Sequence, residues 1–153
     1  MSVKSQENNM RRLAGLLGQD LGYIEGERES GPNGEKKLFL NLGKVFLRAL
    51  AKDLGLRDAK VTSNSAGFSV SGECSLIGMW ETSGIYICLG QILSDQRRVL
   101  LYRTVRNIRD YAGGHNHFLT LDDLRRLSYP ELLDKCSALR KEAGVHERHN
   151  RAA

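Results

Sequence analysis

The run Phe68-Ser-Val-Ser-Gly-Glu-Cys-Ser-Leu-Ile-Gly-Met-Trp80 decides the fold class, because residues of two kinds alternate along it. Apolar residues and glycines occupy the even positions, and mostly polar residues occupy the odd ones. A period of two is typical of a β-strand that buries one face. Gly72 and Gly78 are candidate sites for a bulge or bend. The run therefore predicts a long strand with one apolar face.

Further strands are predicted on both sides of this run. Glu81-Thr-Ser-Gly84 indicates a hairpin turn, and Ile85, Ile87 and Leu89 continue on a returning strand. Residues 94–97 indicate the next turn, residues 99–104 a further strand, and residues 60–63 a short strand before the run. Short connections of this kind predict antiparallel neighbours, so we expect a four-stranded meander.

Residues 38–54 give the clearest helical pattern. The expected apolar face comprises Leu38, Leu42, Val45, Phe46, Ala49 and Leu50, with Lys37, Asn41, Lys44, Arg48 and Lys52 mainly opposite. Gly55 is expected to close the helix. Because one face of the sheet must be covered, we expect this helix to cover it.

Shorter helices are expected at both ends. Residues 5–17 predict an amphipathic helix capped by Ser5, with a stripe made of Met10, Leu13, Leu17 and Leu21. Near the other end, Thr120 is an expected N-cap, and Ser128 followed by Pro130 begins a second helix. The fold class is therefore α+β: a four-stranded antiparallel meander packed against a long helix, with an N-terminal helix and C-terminal helices.

The chain is expected to divide into four parts. Residues 1–24 form the N-terminal helix, 25–37 a flexible linker around Gly31-Pro-Asn-Gly34, 38–145 the α+β domain, and 146–153 a frayed tail. The net charge of +5 favours acidic partners, nucleic acid among them. Three cysteines without a CxxC pair favour a reducing, cytoplasmic setting. No signal peptide and no membrane contact are expected, since no apolar run approaches the ~20 residues that span a bilayer.

The candidate binding region is Arg103-Thr-Val-Arg-Asn-Ile-Arg-Asp-Tyr-Ala-Gly-Gly-His-Asn-His-Phe118 with the two arginines before its strand. Arginines interleaved with tyrosines can hold phosphates and stack on bases, but they are also enriched in protein interfaces. Charges that guard a sheet edge are an equally open interpretation. The residues expected to bind a partner are Arg97, Arg98, Arg103, Arg106, Arg109, Tyr111, His115, Asn116 and His117.

Catalytic chemistry has weak support. His115 and His117 could share a metal ion in an extended segment, with Asp110 as a third ligand, which leaves a metal-dependent hydrolase as an alternative. Gly113-Gly114 could form an anion-binding turn, yet no phosphate-binding loop motif surrounds it. No nucleophile lies in a recognisable setting. We therefore expect a protein that is not an enzyme and that needs no cofactor or metal.

Four segments in order carry a resemblance to a known group: Gly67-Phe-Ser-Val-Ser-Gly-Glu73, Gly84-Ile-Tyr-Ile-Cys-Leu-Gly-Gln91, Leu100-Leu-Tyr-Arg-Thr104 and Asp110-Tyr-Ala-Gly-Gly-His-Asn-His-Phe118. Over residues 38–127 the chain resembles small proteins of bacterial plasmids, integrative elements and phages. The resemblance implies a setting in which a small protein inhibits a host defence complex, as anti-CRISPR proteins do.

Three functions follow as hypotheses. The first is a non-enzymatic inhibitor that binds a host protein or ribonucleoprotein, with a CRISPR–Cas effector as the suspected target. The second is a basic accessory protein of a plasmid or phage that binds DNA or RNA directly. The third is the metal-dependent hydrolase.

Overall fold

The structure is a computed structural model that describes residues 1–19, 21, 34–65, 71–92, 97–110 and 113–142. Its helices and strands follow one another as α1 (Val3–Leu17), α2 (Glu35–Asp53), β1 (Arg57–Asn64), β2 (Glu73–Met79), β3 (Gly84–Gly90), β4 (Arg98–Val105), β5 (His117–Thr120), α3 (Leu121–Arg126) and α4 (Tyr129–Ser137). The α+β class is confirmed. Within these ranges, no helix is both long enough and apolar enough to cross a bilayer.

The strands form an antiparallel sheet in the order β1-β2-β3-β4-β5. The described residues hold five strands, so the expected number of four was wrong. The additional strand, β5, pairs with β4 through Leu101 opposite Phe118 and Tyr102 opposite His117. We expected these residues in a polar loop, because the two apolar residues between His117 and Thr120 are too few to show a strand-like alternation.

Helix α1 begins earlier than expected. Ser2, rather than Ser5, is its N-cap, and the hydroxyl oxygen of Ser2 accepts a hydrogen bond from the Ser5 amide at 3.1 Å. The expected stripe is buried: Met10, Leu13, Leu17 and Leu21 are each at most 3% exposed. The side chain of Gln6 donates to the carbonyl oxygen of Phe46, which ties α1 to α2.

Helix α2 buries a face that overlaps the expected one only in part, since Phe46 and Leu50 are buried as expected. Leu38 and Val45 are 52% and 42% exposed, whereas the buried residues are Phe39, Gly43, Phe46, Leu47, Leu50 and Ala51. The buried stripe is rotated by one position because Gly43 allows the helix to approach β2. A Cβ at Gly43 would lie only 2.6 Å from the Cys74 sulfur. Gly55 follows the helix with φ of +68°, as expected of a closing glycine.

One hydrophobic core joins the helices to the sheet. It contains side chains from α1, α2, α3 and α4 together with side chains from four strands. The indole nitrogen of Trp80 donates to the carbonyl oxygen of Leu54 at 2.8 Å, which fixes the end of α2 against the end of β2. The hydroxyl of Tyr129 donates to Asp53 Oδ2 at 2.6 Å and fixes α4 to the same helix end.

The remaining boundaries differ in detail. Glu35 to Lys37 belong to α2, although they were expected in the linker, while residues 25–33 and the tail 146–153 lie outside the described residues. The division of the chain into four parts stays a prediction. Thr120 and Ser128 are N-caps as expected, and each forms a reciprocal capping box, with Asp123 and Glu131 respectively. The first cap starts α3 directly after β5, and the second, two residues after the end of α3, starts α4.

Candidate binding face

The sheet has two faces, because successive side chains of a strand point to opposite sides. The first face carries the strand residues that share the core with the helices, among them Cys74, Leu76, Ile85, Ile87, Leu89, Leu100, Tyr102 and Leu119. We call the opposite side the second face. It carries Thr62, Ser75, Ile77, Met79, Tyr86, Cys88, Leu101, Arg103, Val105 and Phe118.

The second face has its own small hydrophobic cluster. Ile77, Met79 and Val105 are at most 7% exposed, and Tyr86 packs against them. In the part of the chain that the structure describes, this cluster contains strand side chains only, whereas the helix side chains belong to the core on the first face. The described helices therefore leave the second face to the strands and to the loop that follows β4.

Arg103 lies at the centre of the second face, beside this cluster. It is 8% exposed, and its guanidinium carbon lies 4.5 Å from the ring centroid of Tyr86. Its Nε is buried, and no described residue accepts a hydrogen bond from it. Among the described residues no carboxylate pairs with Arg103. A guanidinium is charged at any physiological pH, so this cation is largely removed from water without a counter-charge from these residues.

A polar group adjoins Tyr86 on the same face. The thiol of Cys88 donates to Glu73 Oε2 at 3.2 Å. Burial, followed by the neighbouring Glu73 carboxylate, raises the pKa of Cys88 to about 12. Burial likewise raises the pKa of Tyr86. Both groups are therefore protonated at neutral pH, and the Cys88 thiol lacks the thiolate character of a catalytic nucleophile.

A second cation and ring lie further along the second face. The guanidinium carbon of Arg98 lies 4.3 Å from the ring centroid of Phe118. Arg98 is exposed and Phe118 is half-buried. The sheet thus presents two guanidinium–ring pairs, one on β3 and β4 and the other on β4 and β5.

The loop after β4 supplies two more cations. Arg106 and Arg109 are both exposed. The loop is held by its own polar side chains: the Arg106 amide donates to Asp110 Oδ2 at 3.2 Å, and the Arg109 amide donates to Asn107 Oδ1 at 2.8 Å. Gly114 has φ of +71° and lies against Thr104, where a Cβ would overlap the threonine. The loop therefore returns closely over β4.

The structure divides the residues expected to bind a partner. Arg98 and Arg103 lie on the second face, with Arg97 exposed immediately before β4 and Arg106 and Arg109 in the loop. His115 and Asn116 are exposed, and Tyr111 lies outside the described residues. The set does not form one continuous patch.

His117 lies on the other side of the sheet. Its ring stacks on Tyr102 with the centroids 5.1 Å apart, and its Nε2 lies 2.8 Å from Glu142 Oε2. Tyr102, which was expected to alternate with the arginines on a binding surface, is 8% exposed and belongs to the core. Of the two rings that do accompany the arginines, Phe118 lay within the expected binding region without being named as a contact residue, and Tyr86 was missed. Two pieces of information together place these rings beside the arginines: the face to which each strand position points, and the alignment of neighbouring strands. The alignment cannot be read from the sequence of one strand alone.

Among the described residues, no three His, Cys, Asp or Glu side chains come together to hold a metal ion. The expected ligands have other contacts: Asp110 binds the loop backbone and His117 binds Glu142. This part of the chain therefore contains no three-ligand site of the kind that a metal-dependent hydrolase would use.

Comparison with known proteins identifies no relative from which a role could be transferred. The chain matches no protein-family model, no curated protein and no solved structure.

Proposed function

We propose that this chain is a non-catalytic binding protein whose second face, together with the loop after β4, binds single-stranded nucleic acid. The observation that carries the proposal is Arg103, a largely buried guanidinium without a carboxylate partner among the described residues. Phosphate is the anion that would complete such a site, since guanidinium and phosphate form strong charge-assisted hydrogen bonds.

The burial of the Arg103 guanidinium is the main reason to expect an anionic ligand. A charged group that is removed from water without a partner destabilises the folded protein unless something compensates it. Stacking on Tyr86 compensates only in part, because a cation–π contact contributes about 0.5–2 kcal/mol. A ligand that brings an anion to the Arg103 side chain would recover electrostatic energy that the free protein lacks.

The surroundings favour nucleic acid over a carboxylate from another protein. Arg98 and Phe118 repeat the combination of cation and ring along the same sheet, and Arg106 and Arg109 add exposed charge at its end. Cations follow a phosphate backbone, while rings and guanidinium planes stack with unpaired bases. A sheet surface that carries such residues is a known arrangement for single strands.

The inhibitor of a host defence complex is a narrower form of the same proposal. It rests on the resemblance to mobile-element proteins, and the second face would then contact the guide or target strand within the complex. Capture of a defence complex from a host extract, abolished by nuclease treatment, would support this form. Capture that survives nuclease treatment would instead favour direct contact with a protein subunit.

Fluorescence anisotropy with labelled single-stranded and duplex DNA of about 20 nucleotides tests the proposal. We expect the full chain to bind the single strand more tightly than the duplex, and binding to weaken steeply as salt rises. Arg103→Met should lower the affinity by at least about tenfold, or 1.4 kcal/mol. Arg126→Met, at an exposed arginine of α3, is the matched control and should leave the affinity unchanged. No binding of either nucleic acid at low salt would overturn the proposal.

A further inference from the structure

Strand β1 is an edge of the sheet, and its outer side meets no other strand among the described residues. Seven of its eight residues are exposed, and only Val61 is half-buried. The pairing with β2 is irregular between Arg57 and Lys60, where Asp58 has φ of +54°, and it is regular from Lys60 to Asn64. Alternate residues of this regular segment therefore direct backbone N–H and C=O groups away from the sheet.

A groove runs beside this edge, between β1 and α2, with a volume of about 440 Å³. Its apolar lining comes from Ala51, Leu56, Ala59 and Val61, and its cationic lining from Arg48 and Lys52. Both cations are exposed. The edge and the groove form a continuous surface, on which a neighbouring chain could bond to β1 and place side chains against α2.

The exposed apolar residues of α2 lie on the same side of the helix. Val45 precedes Arg48 by three residues and Lys52 by seven, and Leu38 precedes Val45 by seven, so all four residues share one stripe. Leu38 and Val45 are among the most exposed large hydrophobic side chains of the described residues. Of this stripe, Arg48 and Lys52 line the groove, and Leu38 and Val45 lie on the same side of the helix towards its start.

The charge of this surface is not neutralised by its own acidic residues. Asp58 is paired with Arg57 at 3.1 Å, and Asp53, whose Oδ2 accepts from the hydroxyl of Tyr129, forms no ion pair with Arg48 or Lys52 among the described residues. Arg48 and Lys52, which line the groove, form no ion pair among the described residues. An occupant that complements the groove must therefore be acidic.

We propose that the β1 edge binds an extended acidic segment of a partner protein, which adds a sixth strand to the described sheet. The backbone of the bound segment bonds to β1 from Lys60 to Ser63, while its side chains on the α2 side place carboxylates near Arg48 and Lys52 and an apolar group in the groove. This site is separate from the second face and does not depend on nucleic-acid binding.

A second copy of this chain fits the same edge less well. Antiparallel pairing of two β1 edges creates a two-fold axis perpendicular to the sheet, so both α2 helices lie on the same side. Their stripes of Arg48 and Lys52 then face each other across the two strands, and like charges repel. The charge distribution thus favours an acidic partner over self-association.

Fluorescence polarisation with the full chain tests the proposal. The probe is a dye-labelled peptide of sequence Thr-Glu-Thr-Val-Thr-Glu-Thr, in which the two glutamates and the valine share one face, and its counterpart carries Lys at both acidic positions. We expect the acidic peptide to bind and the basic one not to bind. The Arg48→Glu/Lys52→Glu double variant should bind at least about tenfold more weakly. The control Arg126→Glu/Lys135→Glu reverses one exposed arginine and one exposed lysine on α3 and α4, and it should retain the wild-type affinity.

The location is checked by NMR, since strand addition should shift the backbone amide signals of the segment Lys60 to Asn64. Circular dichroism establishes that the double variant is folded, and Arg48→Gln/Lys52→Gln replaces it if it is not. No binding of the acidic peptide up to about 1 mM would overturn the proposal. Unshifted β1 amides, or a concentration-dependent dimer in analytical ultracentrifugation, would overturn it as well.

Discussion

The guanidinium carbon of Arg103 lies 4.5 Å from the ring centroid of Tyr86, and the two residues are direct register partners on β4 and β3. Cross-strand partners have neighbouring Cβ atoms, so the side chain of Arg103 can extend over the Tyr86 ring on the second face. The ring therefore fixes the position of a charge that the described carboxylates do not neutralise. This pair connects the fold to the proposed function, and it makes the stability of Arg103 variants informative.

Replacing Arg103 by Met should not destabilise the protein. Met keeps much of the buried chain length but removes a charge without a partner, so the free energy of unfolding should stay equal or rise by about 1 kcal/mol. Urea denaturation measures the change. A loss of more than about 2 kcal/mol would show that Arg103 has a stabilising partner in the free protein. The burial of Arg103 would then no longer support an anion site.

The contact between α2 and β2 should depend on Gly43. A Cβ there would lie 2.6 Å from the Cys74 sulfur, so Gly43→Ala should destabilise by about 1–3 kcal/mol although alanine favours helices. Cys74→Ala in the same chain should restore part of the loss. Gly15→Ala in α1 is the matched control, since its added Cβ would meet no described atom within 4 Å apart from its chain neighbours and its own helix backbone. That variant should be more stable by about 0.5–1 kcal/mol, and equal losses at both positions would contradict the close approach.

Stability should fall at alkaline pH because buried thiols must be protonated in the folded state. Burial raises the pKa of Cys136 from 9.0 to about 12. A group with a raised folded pKa stabilises the protein fully below its unfolded pKa, and this contribution is lost as the pH rises through 9 towards 12. Cys74 and Cys88 shift in the same direction, chiefly through burial.

Chemical denaturation of the wild type and of Cys136→Ala at pH 8 and pH 10 isolates the contribution of Cys136. Removing the thiol should reduce the loss of unfolding free energy over this interval by about 1.4 kcal/mol, even if the variant is less stable at both pH values. Identical losses in the two proteins would show that Cys136 titrates in the folded state as it does in the unfolded chain.

Much of the fold follows from local patterns in the chain. The alternation around Cys74 and Leu76 predicted an antiparallel sheet, and Thr120 and Ser128 predicted the starts of two helices. Two features depended on tertiary contacts. Leu38 and Phe39 are both apolar, but the face of α2 that packs with Gly43 against Cys74 buries Phe39 and leaves Leu38 exposed. Strand β5 contributes four residues, too few for a period to appear before its partner is known.

The candidate site was predicted less completely than the fold. The clustering of arginines along the chain made Arg98 and Arg103 candidate contact residues. It could not show that Arg103 and His117 lie on opposite faces of the sheet. The companion rings, Tyr86 and Phe118, come from neighbouring strands and meet the arginines only through the register. A search for clustered motifs within one segment of the sequence therefore cannot find a binding surface whose residues come from several strands.

The salt dependence of single-strand binding by wild type and Arg103→Met tests the central claim most directly. If Arg103 contacts a phosphate, the logarithm of the wild-type binding constant should fall linearly with the logarithm of salt concentration, and the slope should be smaller by about 0.7 in the variant. The variant should remain fully folded. Parallel lines with equal affinity would contradict the account, since a buried arginine that leaves binding unchanged cannot be the anion site of the second face.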